Sequence, residues 1–520
     1  MNYYNSNYPV RDSSSGNFNT ALKRKKKRRI LHRIGLVLSA LMFIAMIVLD
    51  VHMFMINILP TKILFPAIII MLIIWIVTSA FLLSPRKKTR YWIGLVINVL
   101  LTVIMIAGIY YISKTYGLLK NITNIDSGTS QIGIYVATDD SAQALSEMKD
   151  YTFGILSFID RENADAAIAN INKTLDTEVK TADYSEFTKI IDDLLNHNIN
   201  AIILNIEFID TIKDIEGYED VESKIREITQ IEIKNNIKTE PGKTAEEVYG
   251  DGIFTVYLSG VDTRADKIPQ RSRSDVNILA VINTNTKQVL LLSTPRDYYV
   301  PLSISNGVCD KLTHAGNFGV DVCMDTLGML YDTEIDYYFR VNFSGFEKII
   351  DSLGGVDVYS DYDFNSSLAP KAVGKAYHYN KGINHLGGEA ALFFSRERYS
   401  FAEGDRQRGK NQMAVIKAVA NKAMSPDILT KYSSLLGAMS GSFETSVPYD
   451  LITSLVRNQL NSDGDWNIVN YSVNGYGDSR ITYSISTMNV YVMIPDQSTV
   501  NTAKELIRQV VNGETVSVPQ

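Results

Sequence analysis

The sequence predicts an α/β protein held to a membrane by three N-terminal helices, and three observations carry that expectation. Three apolar runs, about Leu31–Asn57, Ile63–Leu83 and Trp92–Ile112, each approach the roughly 20 residues a helix needs to cross a bilayer. Beyond them, short strand-like stretches alternate with amphipathic helical ones. The charge divides along the same line: residues 1–113 hold 14 Lys+Arg against 2 Asp+Glu, and the remaining 407 hold 37 against 55. A chain of 520 residues, 46% hydrophobic, exceeds one ordinary domain and can fill sizeable cores. The expected order is a cytoplasmic basic tail (1–30), three transmembrane helices (31–113), a small accessory α/β domain (114–242) and a larger α/β domain (243–520) with a central sheet flanked by helices.

Loop charge gives the orientation. Lys23–Arg29, "KRKKKRR", precedes the first run, and Arg86, Lys87, Lys88 and Arg90 lie between the second and third. The first connection, "NILPTK", carries only Lys62. Positive-inside then places the N-terminus in the cytoplasm, and three crossings place everything after Ile112 outside. Because a hydrophobic helix follows the basic heptad almost at once, the heptad reads as a membrane flank and nucleic acid is not expected as a partner. Three long runs also differ from the single short one of a cleaved signal peptide. Cys309 and Cys323 both fall in the outside portion, where a disulfide and two buried thiols are both open.

Within the accessory region, "QIGIYV", "TFGILSF" and "NAIILNI" read as strands. "DDSAQALSEMKD", "RENADAAIANINKTL" and "SEFTKIIDDLLNH" read as helices. No nucleophile–base pairing or Gly-rich phosphate loop stands out there, so a packing or positioning module is expected. "KTEPGKTAEEVYGDG" reads as a polar linker. In the larger domain, "IFTVYLSGVD" and "DVNILAVINTNTKQVLLLSTPRDYYVPL" supply three strands. "MDTLGMLY", "FSGFEKIIDSLGGV" and "NQMAVIKAVANKAM" supply helices, "WNIVNYSV" and "NVYVMI" return to strand, and a helix near Thr502–Val511 ends the chain.

Charged residues gather where these strands stop. Asp262 and Arg264 end the first; Arg271, Arg273 and Asp275 precede the second; Arg296 and Asp297 close the third; Arg396 and Arg398 follow "ALFF". If the strands share a sheet, these ends converge on one edge, the usual ligand position in an α/β fold. Arginine suits phosphate because its planar fork donates two parallel hydrogen bonds and stays charged. On an extended "SRERYS" the two arginines would point to one face. Arg406, Arg408 and Gln412 come from the start of the long helix, with Asp405 as a plausible N-cap. Arginines at a helix N-terminus oppose the macrodipole unless an anion docks there. Asp262 and Asp275 suit a magnesium ion, which typically takes one or two carboxylates plus water and substrate phosphates. A metal-bridged diphosphate held by arginines is arranged for phosphoryl transfer.

At these residues the chain resembles the LytR–CpsA–Psr (LCP) proteins of Gram-positive envelopes. The matching pieces are "GVDTR", "RSRSDVNIL", "LLSTPRDYYV", "DKLTHAGNFG", "IDYYFRVNFSGFEKIIDSLGGVDV", "LGGEAALFFSRERY" and "EGDRQRGKNQMAVIKAV", in order from about Phe254 to Met424. The three anchoring segments and intervening module resemble the capsule-associated branch. The resemblance implies a phosphotransferase that moves a glycopolymer, most readily capsular polysaccharide, from a polyprenyl-diphosphate carrier to peptidoglycan. Its lipid would lie in an apolar tunnel between sheet and helices. By motif, Asp262 and Asp275 look like metal-side carboxylates binding Mg2+ or Mn2+. Arg273, Arg296, Arg396, Arg398, Arg408 and Gln412 look like the head-group clamp, with Lys311 and Asp405 in support and Arg271 and Arg406 in lesser parts. Glu397 stands where many relatives have Gln, and it should point away from the phosphates. The partners implied are the lipid-linked glycan, peptidoglycan, membrane lipid and capsule-assembly proteins. Two other functions stay open: a lipid-diphosphate pyrophosphatase with water as acceptor, and a membrane attenuator of capsule-gene transcription. The second is disfavoured by cytoplasmic parts too small for a DNA-reading fold.

Overall fold

The computed structural model describes residues 14–84, 88–123, 128–235, 246–248, 252–261, 268–423, 443–461 and 466–518. The chain forms two compact units, Met1–Gly117 with Thr453–Asp463, and Leu118–Ile452 with Gly464–Gln520.

In the first unit, α1 (Ser14–Ile56), α2 (Thr61–Leu82) and α3 (Lys88–Thr123) contain apolar stretches at Leu22–Ile56, Thr61–Leu82 and Lys88–Gly117 long enough to cross a membrane. Lys23–Arg29 belongs to α1 itself rather than to a separate tail, and its side chains are exposed. Small and polar residues hold the helices together: the Ser39 and Ser79 hydroxyls lie 2.6 Å apart, and Trp75 Nε1 donates to the Ser39 carbonyl at 3.0 Å. Ile69, Ile73, Val96 and Val103 are exposed, as expected of side chains whose solvent is lipid.

The second unit begins with the accessory module, whose sheet runs β3 (Lys180–Tyr184), β2 (Thr152–Leu156), β4 (Ala201–Asn205), β1 (Gly128–Ala137), β5 (Ile225–Asn235). β2, β3 and β4 are mutually parallel, and β1 runs antiparallel to β4 and β5. Helices α4 (Arg161–Leu175), α5 (Phe187–Leu195) and α6 (Phe208–Lys213) complete it. β3 and β5 were not legible in the sequence because both are largely polar. "DDSAQALSEMKD" is not the expected helix but a loop with one 3₁₀ turn at Leu145–Glu147. Asp140 Oδ1 accepts from Ala142 N at 2.8 Å and from the Tyr151 hydroxyl at 2.8 Å, an Asx-type turn that takes the backbone out of helical geometry. Most of the expected linker lies outside the described residues.

The larger domain is built on a six-stranded sheet. Its order is Phe443–Thr445, Tyr337–Asn342, β6 (Ile253–Val261), β7 (Ser274–Asn283), β8 (Gln288–Thr294), Asn467–Ser472. Tyr337–Asn342 runs parallel to β6, Asn467–Ser472 parallel to β8, and β7 antiparallel to both β6 and β8. Hence the ends of Tyr337–Asn342, β6, β8 and Asn467–Ser472 and the start of β7 share one edge. Leu279, Val281, Leu290 and Leu292 pack with Cys323, Leu327, Val500, Leu506 and Val510 from the helices Val320–Tyr331 and Gln497–Val511. A second cluster joins Ile350, Ala391, Phe394 and Val415 of the helices Phe343–Ser352, Gly388–Arg396 and Asp405–Ala423. Full burial of each such aliphatic or aromatic side chain contributes about 1.5–3 kcal/mol. Cys309 and Cys323 are both free thiols.

Candidate active site at one edge of the sheet

Two contacts fix the edge before any charge is placed on it. Behind the start of β7, the Tyr257 hydroxyl meets Ser274 Oγ at 2.6 Å and donates to Asn277 Oδ1 at 2.7 Å, while Ser259 Oγ lies 2.8 Å from Ser274 Oγ. In front, the helix Leu312–Phe318 touches the segment leading into β7: Ser272 N donates to the Gly316 carbonyl at 3.1 Å. A Cβ at Gly316 would fall 2.2 Å from the Ser272 carbonyl oxygen, so only glycine allows this approach.

Asp275, Asn277, Ser293, Arg296, Asp405, Arg406, Arg408, Gly409, Gln412 and Ser472 line a depression open to solvent. It thus draws on the start of β7, the end of β8, the end of Asn467–Ser472 and the first turns of the helix Asp405–Ala423. Gly409 faces Ser293, whose Oγ would lie 2.9 Å from an added Cβ, so glycine seats this helix against β8.

Arg296 Nη1 donates to Asp275 Oδ1 at 2.7 Å, and its Nε lies 3.7 Å from Asp297 Oδ1. Lys311 Nζ lies 3.8 Å from the same Asp297 oxygen. Arg408 pairs with Asp405 one turn earlier. Burial works against the charge on Arg296, but Asp275, Asp297, Asp214 and Asp405 outweigh it and raise its pKa. Burial likewise disfavours the Asp275 carboxylate, yet Arg296, Arg273, Arg408 and Arg396 together hold it below the usual range. At Asp405 burial prevails, with Asp297 reinforcing it, and the carboxyl is raised despite Arg408, Arg296 and Arg398. One depression therefore holds two carboxyls whose environments push their proton affinities apart.

Of the residues singled out in the sequence, Asp275, Arg296, Asp405, Arg406, Arg408 and Gln412 come together in the depression. Arg273 and Arg396 act on Asp275 electrostatically, Arg398 acts on Asp405, and Lys311 joins through Asp297. Arg406 takes a larger part than expected, because it lines the site. Arg271 does not join: its Nε lies 3.0 Å from Asp160 Oδ1, in the accessory module. Asp262 lies outside the described residues; the strand before it ends at Val261, which pairs with Ser274, next to Asp275.

Three local expectations are corrected. Arg396 does not follow a strand but ends the helix Gly388–Arg396, with its guanidinium 4.1 Å from the Phe343 ring centroid. Arg398 instead donates to the Tyr399 hydroxyl at 2.6 Å, so the two arginines do not share an extended face. Asp405 is the first residue of its helix and not the N-cap: Arg408 N donates to the Gly404 carbonyl at 3.2 Å, and the Asp405 carboxylate faces Arg408. Glu397 is buried and bonded to Ser367 N and Oγ (2.6 and 2.7 Å) and to Tyr399 N (3.0 Å), and it does not line the depression. Sequence reading passed over Asp214, which reaches Arg273 and Arg296 across a domain boundary that no local spacing reveals.

Fold and edge together define an α/β domain with arginines and carboxylates gathered in one depression at the ends of its central strands. Residues 215–508 match the model of the LytR_cpsA_psr family, and the chain belongs to that family. It is similar to the polyisoprenyl-teichoic acid–peptidoglycan teichoic acid transferase TagU of Bacillus cereus (strain ATCC 14579), 34% identical over 208 residues, 40% of this chain and 64% of that protein. The Enterococcus faecalis (strain V583) protein of the same name is 33% identical over 198 residues, 38% of this chain and 62% of that one. The chain thus spans less than two thirds of either. Among solved structures, TagT bound to LI-WTA is 26% identical, covering 53% of this chain and 96% of that one at a TM-score of 0.42. A Streptococcus agalactiae protein is 25% identical, covering 53% and 93% at 0.44.

Proposed function

We propose that this protein is a phosphotransferase that attaches a glycopolymer, delivered on a polyprenyl-diphosphate lipid, to peptidoglycan. The observation that carries the reading is the depression itself: three arginines and two oppositely tuned carboxyls where strand ends of one sheet meet the first turns of the helix Asp405–Ala423. Relatives named as teichoic acid–peptidoglycan transferases support the reaction class. The orientation proposed from the loop charges places this site outside the membrane, on the side where peptidoglycan lies.

In this reading Arg296 and Arg408 hold the diphosphate oxygens, Arg273, Arg396 and Arg398 add charge around them, and Gln412 donates from its amide. Apolar helices beside the sheet would take the lipid chain. Asp405, with its raised carboxyl, accepts the proton of the attacking hydroxyl, while Asp275 stays ionised. Among the described residues no group of three His, Cys, Asp or Glu could hold a metal alone. Magnesium, which is completed by water and substrate phosphates, needs only one or two carboxylates, and Asp275 lines the depression as one. Asp275 and Asp262 would hold it, and when bound it would neutralise charge building on the leaving phosphate.

Capsular polysaccharide is the polymer we propose first, on the anchoring helices and accessory module; teichoic acid is the second reading, favoured by the names of the relatives. The test uses the full chain in lipid nanodiscs with magnesium, peptidoglycan fragments and either lipid-linked polymer, and detects the joined glycan and released polyprenyl phosphate by mass spectrometry. Joined product that Arg296→Ala abolishes supports the transferase. Release of the lipid phosphate without joining would instead make it a pyrophosphatase.

A further inference from the structure

We infer that Asp214, supplied by the accessory module, is an internal competitor for the phosphate site, so that the head group binds by displacing it. This rests on the reading of the arginines as a phosphate clamp. Asp214 follows α6, where Phe208, Ile209 and Ile212 are packed into the module's core. One turn apart, Asp210 and Asp214 face the larger domain. The Asp214 carboxylate pairs with Arg273 Nη1 and lies 3.4 Å from Arg296 Nη2, while Asp210 Oδ2 lies 3.8 Å from Arg273 Nη2. Between them, Thr211 Oγ1 accepts from Asn317 Nδ2 at 3.0 Å, which clips α6 to the helix Leu312–Phe318.

The consequence lies in the donors. Arg296 faces three carboxylates, with Nη1 on Asp275, Nε toward Asp297 and Nη2 toward Asp214 from the accessory module. Arg273 directs its Nη atoms to the two accessory-module carboxylates. A phosphate gripped by the forks of these arginines needs the donors that Asp214 now faces. Asp214 is also the replaceable partner: its side chain is 31% exposed, against 16% for Asp275. A diphosphate brings more charge and more acceptor oxygens than one carboxylate, so it can win the exchange. Binding linkage is reciprocal: the anion that takes Arg273 loosens α6, and whatever draws α6 away from Arg273 tightens the head-group site. The accessory module thus gains a role that its own residues, lacking catalytic pairings, did not suggest.

The test uses the full chain in nanodiscs, with farnesyl diphosphate in magnesium buffer as the probe and calorimetry as the readout. Asp214→Asn keeps the shape and removes the competing charge, and is expected to bind about tenfold more tightly than the natural chain. Arg273→Ala is expected to bind more weakly. In the natural chain, saturating probe is expected to speed amide exchange in residues 208–213; this readout needs no variant. Unchanged or weaker binding by Asp214→Asn, with Arg273→Ala still weakened, overturns the inference and makes Asp214 an orienting partner of Arg273. Undisturbed exchange in α6 at saturation also overturns it. Absence of binding by the natural chain overturns the clamp and this inference with it.

Discussion

Arg340, in the strand Tyr337–Asn342, gives a direct test of how the edge is held. Its guanidinium is buried, with Nη1 donating to Glu444 Oε1 at 2.6 Å and Nη2 to the Pro269 carbonyl at 2.8 Å and Ser272 Oγ at 3.1 Å. Burial opposes its charge, but Glu444 more than compensates and raises its pKa. The side chain therefore ties the segment before Arg273 and the edge strand Phe443–Thr445 to the strand Tyr337–Asn342. Arg340→Met keeps the length and apolar stem but leaves Glu444, 18% exposed, without its cation. Removing one partner of a mostly buried pair costs about 3–5 kcal/mol. About 3 kcal/mol corresponds to roughly a hundredfold in an opening equilibrium. Hydrogen exchange followed by mass spectrometry on β6, β7 and Tyr337–Asn342 should thus show amides that exchange through global opening roughly a hundred times faster. Glu444→Gln, which keeps an acceptor, should cost less, about 1–2 kcal/mol. If Arg340→Met accelerates these amides less than about threefold, the pair is not what secures this edge.

Three further outcomes are expected. Because burial raises the Asp405 carboxyl, transfer should increase with pH through a midpoint above the ordinary carboxylate range, and a pH–rate profile of Asp405→Asn should lose that limb along with most of the activity. Asp310 is buried and accepts from His314 Nδ1 (2.7 Å), Lys311 N (2.7 Å), Ser484 N (2.9 Å) and Ser484 Oγ (2.5 Å). Burial opposes its charge, yet His314, Ser484 and the Lys311 amide prevail and depress its pKa, so its stabilisation is present above the unfolded carboxylate pKa and lost as pH falls through the lower folded one. Asp310→Asn should lower stability by about 2–4 kcal/mol at neutral pH and flatten the acid limb of a thermal-melting profile. Gly316→Ala should cost about 3 kcal/mol or more, because its Cβ would sit 2.2 Å from a backbone oxygen that cannot rotate away; a melting temperature within a degree of the natural chain would refute this.

The central architecture could be read from apolar patterning because the inner strands are buried along most of their length. β8, "QVLLLST", and β4, "AIILN", have almost no exposed residue, and runs of that kind announce themselves. β3 and β5 are polar on one side and lie at sheet edges, so their only signal is pairing, which sequence does not show. The convergence of Asp275, Arg296 and the Asp405–Gln412 turn followed from assigning strand ends correctly. Orientation within a segment did not follow: Arg396 sits on a helix end beneath which Phe343 happens to lie, and Asp405 turns toward Arg408. The partners of Arg271 and Arg273 lie on the accessory module, too distant in the chain for spacing to expose them.

The contact between Arg271 and Asp160 has a meaning for where one folding unit stops. Asp160 ends the loop after β2, is buried, and accepts from Asn163 Nδ2 at 2.5 Å and Asn205 Nδ2 at 2.9 Å, beside the guanidinium of Arg271. Burial raises its pKa even though Arg271 and both amides pull it down. A fragment ending at residue 242 would keep all five strands of the module but lose the cation beside that carboxyl. A group whose folded pKa is raised favours the folded state in acid and opposes it as pH climbs past the unfolded value. The cation beside the Asp160 carboxyl thus comes from the domain that follows, and a cut at residue 242 would divide that pair.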